Sequence, residues 1–256
     1  MNSIDLNCDM GEMASAIAEG TQESLMPFLT SVNVACGGHA GDENTMRTTI
    51  EQALRRKLAI GAHPGYPDRA NFGRLELNLP PEEIAESVFE QVSRLAEIAA
   101  NCGARLSHVK AHGALYNQAA RESAVAQAIA RGVARWRRDV VLVGLAGSPM
   151  LDIVRAAGFA VAAEAFADRR YEPHGALRSR KFADALILDP SAAAEQALRI
   201  AERGSVIALD NTEIPVAAQT ICVHGDTPGA ARIVAAVAER LRNAGIALRP
   251  LSGALP

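Results

Sequence analysis

The chain has 256 residues, of which 49% are hydrophobic and 21% are charged, a composition that suits a folded domain with a sizeable core and excludes a disordered chain. Its formal net charge of -3 argues against nucleic acid as the default partner, because phosphate binding requires a basic surface. The apolar runs are too short to span a membrane, and the N-terminus lacks a basic segment followed by an apolar one, so we expect a cytoplasmic protein.

Seven short apolar runs predict β-strands, and amphipathic helix-like runs separate most of them. In chain order the predicted strands are Ile4–Cys8, Val32–Cys36, Ala59–Ala62, Leu106–Ala111, Val140–Leu145, Ala160–Ala165 and Thr220–Val223. Strands that alternate with helices predict a parallel sheet covered by helices, either open or closed into a barrel. No linker or low-complexity segment divides the chain, so we expect one domain over residues 1–256.

Three helices have readable ends. One is predicted from Pro80 to Gly103, with proline at its start and glycine at its end. The last is predicted from Asp226 to Gly245, with Asp226 or Thr227 as its N-cap. Asp42 suits the N-cap of a third helix after the second strand. Residues Val206 to Val216 predict a small hairpin outside the main repeat.

Two predicted strands have one wholly polar face. The polar residues alternate with apolar ones, as Asp5, Asn7 and Asp9 in and after the first strand and His108, Lys110 and His112 in and after the fourth. Strand side chains alternate between faces, and a strand covered by helices on both faces should be apolar throughout. The polar faces therefore favour a closed barrel, inside which Lys110 needs an acidic partner such as Asp5 or Asp9.

Polar side chains also recur where the predicted strands end, which is where parallel α/β folds hold their active sites. In strand order they are Asp9 and Glu12, His39 and Asp42, His63, Tyr66 and Asp68, Lys110 and His112, Asp168 and Arg169, and His224 and Asp226. Each residue also has a structural explanation, and Asp42 is more readily explained as a helix cap. Taken together they predict a shared pocket, closed by the glycine-rich turn at Gly37 and Gly38 and by the loop Gly61–Arg74.

Several catalytic and cofactor motifs are absent from the sequence. There is no GxxxxGK[ST] phosphate loop, no GxGxxG after a strand, no GxSxG nucleophile elbow and no HExxH zinc motif. The four cysteines form no CxxC pair, and we expect no disulfide framework. Asp9, His39 and His63 form a candidate set of metal ligands, since carboxylate and imidazole suit zinc and similar ions; whether a divalent metal binds is left open.

Six longer segments resemble the signature segments of the LamB/YcsF family, in the same order along the chain. They are DLNCDMGE, NVACGGHAGD, GAHPGYPDRANFGR, VKAHGALYN, FADRRY and ICVHGDTPGA, and the resemblance extends from about Ile4 to Gly245. It implies an irregular seven-stranded β/α barrel, similar to that of polysaccharide deacetylases and related glycosidases. One departure is Gly38, where the family turn has a bulkier residue, so we expect a looser pocket wall at this position.

The resemblance also implies an activity, the hydrolysis of 5-oxo-L-proline to L-glutamate coupled to the hydrolysis of ATP to ADP and phosphate. The implied partners are two further 5-oxoprolinase subunits, B and C, which resemble carboxyltransferase-type amidohydrolase components. Because the sequence has no Walker phosphate loop, ATP would be bound either by a partner or at an unfamiliar site of this chain.

Opening a lactam requires a base for water, a hydrogen-bond donor near the lactam oxygen and a cation for the carboxylate. The hypothesis assigns catalysis to Asp9, His39, His63, Lys110 and His112. It assigns substrate binding to Asn7, Asp42, Tyr66, Arg74, Asp168 and His224. Lys110 or Arg74 would hold the carboxylate or a phosphorylated intermediate. Two alternatives stay open: a metal-dependent hydrolase similar to the deacetylases, and a non-catalytic component that binds the substrate.

Overall fold

The computed structural model describes residues 3–251, and a closed barrel of seven parallel strands forms its centre. The strands are β1 (Ser3–Met10), β2 (Ser31–Ala35), β3 (Ala59–His63), β4 (Leu106–Lys110), β5 (Val141–Leu145), β6 (Ala160–Phe166), β7 (Ser205–Ile207), β8 (Glu213–Pro215), β9 (Thr220–Cys222) and β10 (Ala247–Leu248). Strands β1 to β6 pair in sequence order, and β9 closes the barrel by pairing with both β6 and β1. The seven predicted strands and the seven-stranded β/α barrel are confirmed.

Helices surround the barrel. They are α1 (Ala14–Ala18), α2 (Thr21–Leu25), α3 (Glu43–Arg55), α4 (Pro81–Asn101), α5 (Gly113–Ala119), α6 (Ser123–Trp136), α7 (Met150–Ala156), α8 (Pro190–Arg203) and α9 (Ala230–Asn243). Strands β7 and β8 form the expected small antiparallel hairpin outside the barrel. Among the helices of residues 3–251, none combines the length and the apolar character that crossing a membrane requires.

The helix ends agree with the predictions at α3 and α4 and differ at α9. Asp42 caps α3, because its side chain accepts a hydrogen bond from the backbone N–H of Thr45 at 2.8 Å. Helix α9 begins only at Ala230, without a side-chain cap. The expected cap residues have other partners: the Thr227 hydroxyl donates to Asp168 at 2.7 Å, and Asp226 forms ion pairs with arginines. The predicted start of α9 is therefore wrong by one helical turn.

The two faces of the barrel wall differ in polarity. Outward side chains such as Leu6, Val32 and Val34 belong to the continuous apolar core between the strands and the helices. On the inner face, His108 lies in register with Val141, and Lys110 with Val143. The interior is therefore apolar on the β5 side and polar on the side of β1, β2 and β4.

Gly61 on β3 makes room for a polar side chain that crosses the interior. A Cβ atom at position 61 would lie 2.2 Å from Nε2 of His108. That nitrogen instead donates a hydrogen bond to Oδ1 of Asn33 at 2.8 Å. Any larger residue at position 61 would displace the imidazole and break this contact.

Asp5 is a buried carboxyl group without a cationic partner. It is 2% exposed and accepts hydrogen bonds from the hydroxyl groups of Thr30, Ser31 and Thr220. Burial raises its pKa to about 6, although these hydrogen bonds oppose the shift. The expectation that Asp5 might neutralise Lys110 is not met, because hydroxyl groups take its oxygens.

We predict that Asp5 makes stability depend on pH. Because its folded pKa of about 6 exceeds its unfolded value, the stabilisation it contributes is present at low pH and is lost as the pH rises through about 6. Between about pH 4 and pH 7.5, the free energy of unfolding of the wild type should fall by about 2 kcal/mol relative to Asp5→Asn. Urea unfolding of both proteins across this range measures the difference. Parallel pH profiles would contradict the prediction.

Candidate active site

A cavity of about 660 Å³ opens at the carboxyl ends of the barrel strands. Its acidic and imidazole groups follow β1, β3, β4 and β9, as Asp9, Glu12, His63, His112 and His224. Its cations are Arg74, Lys110, Arg169, Arg180 and Lys181. The cavity thus combines bases with an excess of positive charge, which favours an anionic ligand.

Lys110 lies at the base of this cavity between two buried carboxylates. Its Nζ is 2.9 Å from Oδ1 of Asp9 and 3.0 Å from Oε1 of Glu164, and it lies 3.2 Å from Sγ of Cys222. Burial alone would lower the pKa of Lys110, but the carboxylate of Asp9 more than offsets it and holds the pKa well above its usual range. Of the two partners expected for Lys110, the structure selects Asp9 and adds Glu164.

The carboxylate of Asp9 is held ionised by its surroundings. Burial would raise its pKa, but His63 and Lys110 outweigh burial and hold the pKa well below its usual range. Asn33 donates a hydrogen bond to Oδ1 of Asp9 at 2.8 Å, and Nε2 of His63 lies 3.3 Å from its Oδ2. Asp9 therefore enters any reaction as a fixed negative charge.

Side-chain amides connect this ion pair to the rest of the barrel interior. Asn7 donates to Glu164 at 3.0 Å and to the hydroxyl of Thr220 at 2.6 Å, and Asn33 donates to Oδ1 of Asn7 at 2.8 Å. Asn7 is 2% exposed and does not line the cavity. Its predicted contact with substrate has no support from this placement, and its hydrogen bonds orient Glu164.

Glu12, His39, His63 and His112 form a compact group, named here the imidazole cluster. Nε2 of His39 lies 3.1 Å from Oε1 of Glu12, and Nδ1 of His112 lies 3.3 Å from the same oxygen. Nδ1 of His112 is 3.1 Å from Nε2 of His63. The rings of His39 and His112 are stacked with centroids 3.7 Å apart. His39 lies behind the others and does not reach the cavity surface.

The members of the imidazole cluster differ in charge. Burial lowers the pKa of His39 to about 3 and also lowers the pKa of His112. Burial acts in the same direction on His63, but the carboxylate of Asp9 outweighs it and raises the pKa of His63. The pKa of Glu12 is lowered, because hydrogen bonds from His112 and His39 exceed the effect of burial. Glu12 is therefore ionised, and His63 is the imidazole that holds an extra proton most readily.

The candidate set of metal ligands changes in the structure. Ligand atoms of Glu12, His39, His63 and His112 lie within 4.8 Å of one another, whereas Asp9 belongs to a separate group with Cys222 and His224. Glu12 thus takes the place predicted for Asp9, and His112 joins the set. Strand alternation gives no information about Glu12, because it follows the end of β1 in a loop.

His224 and Asp168 form a second paired unit at the opposite side of the cavity. Nδ1 of His224 lies 3.0 Å from Oδ1 of Asp168, and the backbone N–H of His224 donates to Oδ2 at 3.0 Å. Asp168 is fully buried, and its pKa is lowered to about 2, because His224 and Thr227 outweigh burial. The ring of His224 stacks on Phe166 with centroids 5.2 Å apart. The carboxylate therefore fixes one ring nitrogen of a histidine that faces the cavity.

Arginines and an aspartate form the rim. Arg180 pairs with Asp226 at 2.8 Å, and Arg74 pairs with the same carboxylate. The guanidinium of Arg74 also lies 4.8 Å from the centroid of the Phe72 ring. Arg74 and Arg180 share a single acidic partner, so the rim keeps positive charge for a ligand.

Two predicted substrate-binding residues lie away from the cavity lining. Asp42 caps α3, as described above, and Tyr66 is 1% exposed with its hydroxyl donating to Gln118 at 2.5 Å. The turn at Gly38 also differs from expectation. A Cβ at position 38 would lie 2.3 Å from Oε1 of Gln91, so the Gln91 side chain fills the space that was expected to be loose.

The fold and the site together define a class, a closed parallel β/α barrel with ionised carboxylates, imidazoles and cations at the carboxyl ends of its strands. The family model described as the LamB/YcsF family matches residues 4–255. The chain belongs to the LamB/YcsF family.

Relatives and solved structures agree with this assignment. The chain is 52% identical to the A-type subunit of 5-oxoprolinase from Chloroflexus aggregans, over 97% of this chain and 99% of that relative. A crystal structure of the lactam utilization protein from Thermus thermophilus matches with a TM-score of 0.90 and 39% identity, over 97% of this chain and 100% of the other. A family 4 carbohydrate esterase from Streptomyces lividans matches with a TM-score of 0.51 and 12% identity, over 98% and 94% of the two chains. This last likeness concerns the fold alone.

We predict that Lys110→Met is strongly destabilising. The substitution leaves the carboxylates of Asp9 and Glu164 buried without their cation, which should lower the free energy of unfolding by about 3–5 kcal/mol. Chemical denaturation at neutral pH measures this loss, and Glu164→Gln in the Lys110→Met background should recover part of it. The exposed Lys181 at the cavity edge supplies the matched control, and Lys181→Met should unfold like the wild type. Equal stability of the two lysine variants would contradict the assignment.

Proposed function

We propose that this chain is the A-type component of an ATP-dependent 5-oxoprolinase, which hydrolyses 5-oxo-L-proline to L-glutamate. The names of its full-length relatives support a role in lactam hydrolysis. The observation that carries the chemical proposal is the cavity itself, in which rim cations face imidazoles and an ionised carboxylate. A small anionic lactam needs these two kinds of group on opposite sides.

The carboxylate of the substrate is assigned to the rim. Lys110 is already engaged by two carboxylates and is 2% exposed, whereas the side chain of Arg74 is 40% exposed and shares its only acidic partner. Arg74 is therefore the better of the two cations proposed for this role. Lys110 acts on the reaction through its charge, by keeping Asp9 ionised at the cavity floor.

Proton transfer is assigned to the Asp168–His224 pair. The carboxylate of Asp168 accepts from Nδ1 of His224, which leaves Nε2 as the exchangeable nitrogen. This is the arrangement by which a buried carboxylate orients a histidine for general acid–base catalysis. The assignment moves His224 from a predicted binding residue to a proposed catalytic one, and Asp168 becomes its positioning residue.

Nucleotide handling is assigned to subunits B and C. Hydrolysis of a stable five-membered lactam gains its driving force from ATP, but this chain has no Walker phosphate loop. The division of labour would place activation of the substrate on the partners and opening of the ring in this barrel.

The proposal predicts activity only in the complete assembly. The chain alone, subunits B and C together, and all three combined should be incubated with 5-oxoproline and ATP, and glutamate and phosphate measured. Glutamate should form only in the mixture of three. No glutamate from any combination of folded proteins, or release of acetate from acetylated sugars by this chain alone, would favour the deacetylase-like alternative.

His224→Gln should lower kcat of the assembled enzyme by about 10²–10⁴ and change KM little, because it removes proton transfer. His174→Gln is the matched control, since His174 is exposed and does not line the cavity. A rise in KM with unchanged kcat would make His224 a substrate-binding residue. It would also favour the alternative of a non-catalytic binding component.

A further inference from the structure

We propose that the imidazole cluster of Glu12, His39, His63 and His112 is a binding site for one divalent transition-metal ion, with Zn²⁺ as the best match to its donors. The inference concerns this chain alone and does not rest on the proposed lactam chemistry. It follows from the hydrogen bonds made by the outer side of each ring, from the distances between the inner atoms and from the local charge.

The outer nitrogens of two histidines are committed as donors. Nδ1 of His63 lies 2.8 Å from the carbonyl oxygen of Lys110, and Nε2 of His112 lies 2.9 Å from the carbonyl oxygen of Phe72. A carbonyl oxygen can only accept, so each of these nitrogens carries the proton. In the neutral imidazole the other nitrogen then has a lone pair, which is the form that binds metals.

Those two lone pairs face each other. Nε2 of His63 and Nδ1 of His112 are 3.1 Å apart, and Nδ1 of His112 is also 3.3 Å from the Glu12 carboxylate. Two neutral acceptors repel at hydrogen-bonding distance unless a cation lies between them. A proton on one nitrogen satisfies one such contact, whereas a single metal ion satisfies all the inner atoms at once.

The spacing of the inner atoms suits tetrahedral coordination. Zinc binds imidazole nitrogen and carboxylate oxygen at about 2.0–2.1 Å, so the ligands of a regular tetrahedron lie about 3.3 Å apart. The separations within the cluster are 3.1 Å for His39 to Glu12, 3.1 Å for His63 to His112, 3.3 Å for His112 to Glu12 and 4.0 Å for His63 to Glu12. Only small movements would bring four donors around one ion.

Charge distinguishes this cluster from the other candidate group. Within residues 3–251, the ion pairs of Glu12 are all with histidines, and no lysine or arginine lies within 4.0 Å of its carboxylate. The group of Asp9, Cys222 and His224 differs, because the ammonium of Lys110 already contacts Asp9 and Cys222. The imidazole cluster is therefore the group that still requires positive charge.

The donors are supplied by a rigid part of the fold. They come from the ends of four successive strands, β1 to β4, and Glu12, His63 and His112 line the main cavity. Three imidazoles and one carboxylate form a donor set that suits zinc and neighbouring divalent ions. A bound ion would face the cavity and offer a Lewis acid to its contents.

The test is a titration of the purified, chelator-treated full chain with Zn²⁺ in competition with a chromogenic chelator. The wild type should bind one equivalent. Glu12→Gln, His39→Gln and His112→Gln should each weaken binding at least tenfold, whereas His174→Gln should bind like the wild type. No saturable binding by the folded wild type would overturn the proposal, as would unchanged affinity in all three cluster variants.

A second measurement needs no variant and applies even if a substitution prevents folding. X-ray absorption at the zinc edge of the loaded wild type should show three imidazoles and one oxygen ligand at about 2.0 Å. A sulfur ligand, or fewer than three imidazoles, would place the ion elsewhere and refute the assignment. Neither experiment involves 5-oxoproline, ATP or a partner, so failure here is separate from failure of the proposed function.

Discussion

The ammonium group of Lys110, buried between Asp9 and Glu164, is the constraint on which the rest of the barrel interior depends. A cation in this position would cost several kcal/mol without paired carboxylates, and each carboxylate would cost as much without the cation. The three groups come from β1, β4 and β6, so the ion pairs can form only when the barrel has closed. The amides of Asn7 and Asn33 complete the hydrogen bonds of the carboxylates and fix their orientation.

Much of this arrangement could be predicted from the sequence, because a strand has a period of two. The polar alternation at Asp5, Asn7 and Asp9 identified the inner face of β1 and, with His108 and Lys110 on β4, favoured a closed barrel over an open sheet. The Asp9–Lys110 pair followed from the high cost of burying a lysine alone. These inferences required only local periodicity and one electrostatic argument.

Other contacts could not be predicted, because they depend on which strands become neighbours and on how loops turn. Glu164 is a single charge in the apolar run of β6, and only the pairing of β6 with β9 places it beside Lys110. Glu12 follows β1 in a loop whose direction has no period. Tyr66 shows the opposite error, since its position after a strand suggested the pocket but its hydroxyl bonds to Gln118. A signal for Glu164 was present, as a charge in an otherwise apolar strand.

His63 connects the ion pair at the base of the cavity with the imidazole cluster. Its Nδ1 donates to the backbone carbonyl of Lys110, and its Nε2 faces both Asp9 and His112. The charge of Lys110 holds Asp9 ionised, and ionised Asp9 raises the proton affinity of His63. A cation in the cluster would compete with that proton for the same nitrogen. The network therefore makes the barrel interior and the cavity floor one electrostatic unit, in which loss of Lys110 would alter the cluster as well as the stability of the fold.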